Sequence, residues 1–209
     1  MYPKEIEKFL LKVQKPGRYT GGELNSIVKD KSKVDIRYAF CFPDTYEIGM
    51  SHLGMKILYS LVNAREDAWC ERVFVPWVDM EEVMRENNIP LYALESGDAI
   101  KDFDILGFTM QYELSYTNVL NMLDLAGLPV RAKDRTSLTP IVIAGGACVC
   151  NAEPMAEFFD ITLPGDGEEV TNELIDLLKE FLTELRLFNA FIIFYVAHNI
   201  LHTLCNIKC

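Results

Sequence analysis

Four short clusters carry the residue types that can do chemistry, and each joins glycine to polar or acidic side chains. The first is Asp44-Thr45-Tyr46-Glu47-Ile48-Gly49, with Gly54 shortly after it. The second is Gly107-Phe108-Thr109-Met110-Gln111-Tyr112-Glu113, the third Gly145-Gly146-Ala147-Cys148, and the fourth Gly165-Asp166-Gly167-Glu168-Glu169. Glycine lets a backbone come close to a bulky ligand, and free amides at a helix start can take a polar or anionic group. Asp44, Tyr46, Gly49, Thr109, Gln111, Gly145, Gly146, Gly165, Gly167 and Glu168 are the candidate cofactor-binding residues of these clusters. Any one cluster reads equally well as a tight turn. Four gathered at one edge would make a ligand cleft.

The elements that must position them follow from hydropathy. Asp35 to Phe42, Arg72 to Trp77, Asp104 to Met110, Pro140 to Ala144 and Ile161 to Leu163 read as strands, with Leu91 to Leu94 as an accessory edge strand. Between them lie helical stripes: Leu53, Ile57, Leu58, Leu61 and Val62 after a Ser51 cap; Met80 to Asn87; and Tyr116 to Leu123, stopped by Gly127. Met155 to Phe159 reads as a short helix and Glu168 to about Leu185 as a long one. Short apolar strands alternating with amphipathic helices predict a doubly wound parallel α/β sheet of about five strands, Rossmann-like or flavodoxin-like. In such sheets ligands bind beyond the carboxyl ends of the strands, where strand order reverses. All four clusters fall just after predicted strands.

Residues 1–34 stand apart as an arm, a short helix over Lys4 to Val13 followed by a Pro16-Gly17 loop; 35–186 form the α/β domain. From Leu187 to Ile207 the chain carries no charged residue, long enough to span a bilayer at roughly 20 residues. A membrane anchor, a partner-covered helix and a non-native or frame-shifted stretch after about Arg186 all fit. The third is the reading adopted for 187–209. The whole chain carries 20 basic against 31 acidic side chains, a net charge of −11 that disfavours nucleic acid and anionic lipid. The amino terminus shows no secretory pattern, so a cytoplasmic location is expected. Six cysteines without a framework are expected as free thiols, with Cys148 and Cys150 among the buried ones.

Isolated candidates have plain alternatives. His52 is read as a cap or surface residue beside the cleft rather than a ligand, and His198 and His202 as an unliganded pair. Arg18 can hold an anion or belong to a structural arm; Asp44, Glu47 and Glu113 can be cleft contacts or caps.

Longer runs resemble the amino-terminal part of a radical SAM family that carries a cobalamin-binding-like domain ahead of its barrel. They are Lys15-Pro16-Gly17-Arg18-Tyr19-Thr20-Gly21-Gly22-Glu23, the stretch from Phe40 through Gly54, Gln111 to Tyr116, Ile143-Ala144-Gly145-Gly146, and Gly165 to Glu169. The resemblance covers roughly residues 10–180. It implies cobalamin as a cofactor and a radical SAM barrel as partner, either as a following segment or as a separate chain. It also implies a 4Fe–4S cluster and S-adenosylmethionine in full-length relatives. Classical cobalamin domains place Asp-x-His-x-x-Gly after the first strand, the histidine ligating cobalt; here Tyr46 stands at that position, and radical SAM relatives commonly lack the histidine. A phenol with an ordinary pKa near 10 is a poor cobalt ligand. Either the corrinoid binds without a protein donor below, or the fold remains without the cofactor. The cluster motif Cys-x-x-x-Cys-x-x-Cys is represented only by Cys205-Asn206-Ile207-Lys208-Cys209, read as a chance match, so this chain alone is not expected to perform radical chemistry. The competing expectation is an interaction module that docks on a barrel and binds nothing small. Receiver and flavodoxin readings fit poorly, because Gly107 to Gln111 offers no phosphoacceptor and Pro43-Asp44-Thr45-Tyr46 no phosphate loop.

Overall fold

The computed structural model describes residues 2–184. The expectations for the tail, for His198 and His202, and for Cys205 and Cys209 lie outside them. Five strands, β1 (Ile36–Phe42), β2 (Ala68–Phe74), β3 (Ile105–Thr109), β4 (Ile141–Gly145) and β5 (Ile161–Thr162), form one all-parallel sheet in the order β2-β1-β3-β4-β5. Helices α1 (Tyr46–Ser51), α2 (Leu53–Asn63), α3 (Val78–Asn87), α4 (Tyr116–Leu125) and α5 (residues 167–184) alternate with the strands. This is the flavodoxin-like order, and the strand order reverses between β1 and β3. Strands β2 and β3 are buried along their whole length and β1 at every position but Arg37, which is why they read as continuous apolar runs rather than alternating ones. Residues Met1–Thr171 pack as one compact unit, and the chain from Asn172 onward is a second.

Several boundaries move. Strand β2 begins at Ala68, four residues before the expected start, and stops before Pro76. The segment Leu91 to Leu94 is no strand: one bridge joins Tyr92 to Ala99, and Leu94 donates its N–H to the Arg72 carbonyl at 2.9 Å, covering the β2 edge. The α2 cap is His52 rather than Ser51; its Nδ1 accepts the Met55 N–H at 3.1 Å. Gly127, at φ +72°, ends α4 as expected, with the Leu128 N–H returning to the Leu123 carbonyl.

The amino-terminal arm is a strap across the β2 side. Tyr19 is buried, accepts the Trp77 N–H through its hydroxyl, and receives the Tyr92 hydroxyl on its carbonyl. Lys29 reaches the carbonyls of Arg65 and Ala68, and Trp69 donates to the Ile27 carbonyl. Lys15 and Arg18 both donate to Glu47, on α1. Those bonds, Lys15 first, hold the Glu47 carboxyl down to about 2. A depressed acid contributes stability above its ordinary pKa and loses it only as pH falls through the depressed value. An NMR titration of the Glu47 side chain is therefore expected to show a midpoint near 2, with the strap amides of Arg18 and Tyr19 still protected from exchange at pH 4. Glu47→Gln is expected to remove that protection at every pH.

Candidate functional site

Register decides which side chains meet. Phe40 pairs with Gly107, Gly107 with Ile143, and Thr109 with Gly145. Paired residues of a parallel sheet share a face, so Tyr38, Phe40, Gly107, Thr109, Ile143 and Gly145 all project to one side. Two of the six have no side chain, and the sheet face is cut back there. Between this face, α2 and the start of α5 lies a cavity of about 410 Å³ at the carboxyl ends of β1, β3 and β4. It straddles the point where strand order reverses, the place where open α/β sheets bind ligands.

Seven of the ten candidate residues line this cavity: Thr109, Gln111, Gly145, Gly146, Gly165, Gly167 and Glu168. Gln111 donates its amide to the Thr109 hydroxyl, which fixes the carboxamide at the rim. Gly146 sits at φ +98°, and a Cβ there would meet the Met110 carbonyl oxygen at 2.8 Å, so the turn after β4 admits no side chain. The other three, Asp44, Tyr46 and Gly49, are not among the lining residues. Asp44 accepts the Tyr112 hydroxyl at 3.0 Å and the Thr45 N–H at 2.7 Å. Gly49 is buried against Phe74 and Phe42. Tyr46 packs edge-on against Phe74 and donates its hydroxyl to Glu23 at 2.8 Å. Burial, then that bond, pushes its phenol up to about 12. The first cluster is thus tied to the strap, Tyr46 to Glu23 and Glu47 to Lys15 and Arg18, while the other three meet at the cavity. Nothing in the order of residues after β1 tells which way the α1 turn faces.

Tyr38, Phe40, Leu58, Ile143 and Thr171 line the cavity and were not among the candidate cofactor-binding residues. Tyr38 showed only period-two spacing on β1 and Leu58 only helical spacing on α2, which a core would give equally well. His52 also lines it, its ring 5.2 Å from that of Phe42. Because its Nδ1 accepts a backbone N–H, the neutral ring carries its proton on Nε2. A metal-ligating histidine instead donates N–H from its other nitrogen, so His52 would lose its cap to become a ligand.

The cavity's electrostatics are narrow in kind. Asp166 and Glu168 stand at its edge, and no Lys or Arg lines it, which disfavours a ligand bearing several phosphates. Cys150 is exposed at its border and Cys148 half-buried, both on a 3-10 turn, Ala147–Asn151, rather than on a strand. The expectation of a buried pair is therefore corrected; Cys41 and Cys70 are the buried thiols. Burial, then Glu113, pushes the Cys148 thiol up, so it is not an activated nucleophile. Among the described residues no group of three or more His, Cys, Asp or Glu can hold a metal ion, and no helix is long and apolar enough to cross a membrane.

The fold and cavity define a parallel α/β domain with a ligand cleft at the carboxyl edge of its sheet. Residues 54–191 match the family described as radical SAM proteins, N-terminal, and the chain belongs to that family. It is also 30% identical over 151 residues to an uncharacterized protein of Methanocaldococcus jannaschii, an alignment covering 70% of this chain and 27% of that protein. The chain spans about a quarter of the length of the curated relative it matches.

Proposed function

We propose that this domain binds a corrinoid at the mouth of the cavity between β1, β3, β4 and α2, with the appended base reaching inside, as the cofactor-bearing part of a radical SAM enzyme. The 4Fe–4S cluster and S-adenosylmethionine belong to the barrel of the longer proteins. The observation that carries this reading is the cavity itself, about 410 Å³ at the strand-order switch, glycine-lined at its mouth and free of cationic side chains among the described residues. A neutral, amide-fringed macrocycle with an appended base fits that polarity better than a nucleotide polyphosphate does. Thr109 and Gln111 would meet its amides at the rim, and the turns at Gly146 and Gly165 would let the ring lie against backbone. Among the described residues neither candidate cobalt donor is available: Tyr46 is held as a phenol on Glu23, and His52 is committed to its cap. When bound, the group would supply a redox-active cobalt centre, and Thr109, Gln111 and the Gly146 and Gly165 turns would hold it.

Purified protein mixed with hydroxocobalamin is expected to retain the corrinoid through gel filtration, with a shifted absorption spectrum. The corrinoid spectrum should show no nitrogen ligand from the protein, and His52→Ala is expected to leave it unchanged. Neither retention nor shift, from protein that is folded by circular dichroism, would remove the cofactor.

A second reading, docking on a barrel without any cofactor, is favoured by the exposed apolar residues Ile48, Leu53, Tyr112 and Leu114, all on segments that follow the carboxyl ends of β1 and β3. It predicts a stable complex with a separately produced barrel of a longer relative and no corrinoid in it.

A further inference from the structure

Two hydroxyls inside the cavity have no hydrogen-bond partner among the described residues. Tyr38, on β1, is 4% exposed, and its ring crosses the face of β3 so that a Cβ on Gly107 would come within 1.9 Å of the hydroxyl oxygen. Tyr38 and Gly107 both line the cavity. Thr171, near the start of α5, is also 4% exposed and lines it too. Phe40, Leu58, Ile143 and Val170 supply apolar lining to the same cavity. Other buried polar side chains of the sheet region have partners, Glu71 on Arg37, Arg72 on Glu95 and Asn63 on the Cys70 backbone, whereas Arg37 Nε, which lies outside the cavity lining, has none. Burial pushes the Tyr38 phenol up, so it stays a hydroxyl that can both donate and accept.

Solvent can serve both groups while the cavity is open. A ligand that displaces solvent must replace those bonds, or leave two buried hydroxyls unpaired. Sites that hydrogen-bond a ligand group discriminate against analogues lacking it far more strongly than apolar pockets discriminate against an extra methyl. A cavity lined by two such hydroxyls therefore selects a ligand group with a polar edge over one that ends in methyl carbons.

We propose that Tyr38 and Thr171 read the base appended to the corrinoid and prefer a purine-type base to 5,6-dimethylbenzimidazole. This rests on the corrinoid reading above. The edge of dimethylbenzimidazole farthest from its sugar is two methyl groups, which can satisfy neither hydroxyl. The corresponding edge of adenine carries ring nitrogens and an amino group, which can satisfy both. The selection is thus made by Tyr38 and Thr171 together with Gly107, whose missing side chain leaves room for the Tyr38 ring.

The test is an absorbance titration of the full chain with three corrinoids: the adenine-based form, cobalamin, and cobinamide, which has no base. The adenine form is expected to bind about tenfold tighter than cobalamin, which is about 1.4 kcal/mol, with cobinamide weakest. Tyr38→Phe keeps the ring and removes only the hydroxyl; it is expected to bring the adenine-to-cobalamin ratio to within about twofold, as is Thr171→Val. Thermal melts of both variants check that the fold is kept. Wild-type protein that binds cobalamin as tightly as the adenine form overturns the proposal and leaves the corrinoid reading intact. So does a preference unchanged in both variants. Binding of none of the three removes the corrinoid reading, and the base selection with it.

Discussion

Replacing Arg72 by methionine is expected to cost about 3–5 kcal/mol of folding stability, a drop in melting temperature on the order of 10 °C. Arg72 lies on β2 with only 7% of its surface exposed and holds four partners at once. Its Nε donates to Glu95 at 2.6 Å, its Nη2 to Glu23 and Ser26 at 2.8 and 2.9 Å, and its Nη1 to the Met50 sulfur at 3.1 Å. The guanidinium also lies 5.0 Å from the Tyr59 ring centre. Methionine fills the space but leaves Glu95, 2% exposed, without its cation. Even with Arg72 present, burial outweighs that attraction and leaves the Glu95 carboxyl above its ordinary range. Without Arg72 it rises further. A raised acid binds its proton in the folded state before the unfolded one does, so folding stability falls as pH rises through that window. The defect is therefore expected to be larger at pH 8 than at pH 5 in thermal melts. Glu95→Gln in the same chain removes the stranded charge while keeping an acceptor for the Arg72 backbone N–H position, now Met, and is expected to recover more than half of the loss. A pH-independent defect, or no recovery, would show that packing rather than charge dominates at this position.

The same network explains what the sequence hid. Strands β1, β3 and β4 were legible because their apolar runs end in Pro43-Asp44, in Thr109 to Gln111 and in Gly145-Gly146. Strand β2 was displaced by four residues because Ala68-Trp69-Cys70-Glu71-Arg72 places two charges in a segment that proves fully buried. Hydropathy reads such charges as surface; only tertiary partners, Arg37 for Glu71 and Glu95 for Arg72, permit their burial. The glycine turns at Gly146 and Gly165 were legible as cavity-forming because a side chain is excluded or strained there whatever the neighbours are. The division of the four clusters was not. Asp44 to Gly49 has the residue types of a ligand loop, but pairing of Glu47 and Tyr46 with the distant Lys15, Arg18 and Glu23 turns it to the strap. Tyr38 gave no sign at all, since one tyrosine in a buried strand has the same pattern whether its hydroxyl meets a carbonyl or a cavity.

Gly107 is the position where a single methyl group should have the largest effect on binding. A Cβ there would lie 1.9 Å from the Tyr38 hydroxyl oxygen, 2.4 Å from Cζ and 2.8 Å from Cε1, so the ring itself must move. On one side it meets β3, so the open direction is the cavity. Gly107→Ala is therefore expected to swing Tyr38 into the space a ligand occupies. Overpacking of this kind costs about 1–3 kcal/mol, few degrees of melting temperature in a chain of this size. Ligand binding should suffer more, by about 100-fold, because the displaced ring removes both volume and the hydroxyl position. A second substitution separates the two effects. Tyr38→Leu in the Gly107→Ala background takes away the obstructing ring, so stability and most of the corrinoid affinity should return while the preference between bases does not. If Gly107→Ala binds hydroxocobalamin like the wild type while melting several degrees lower, the ring has moved elsewhere and the ligand does not reach the floor between β1 and β3.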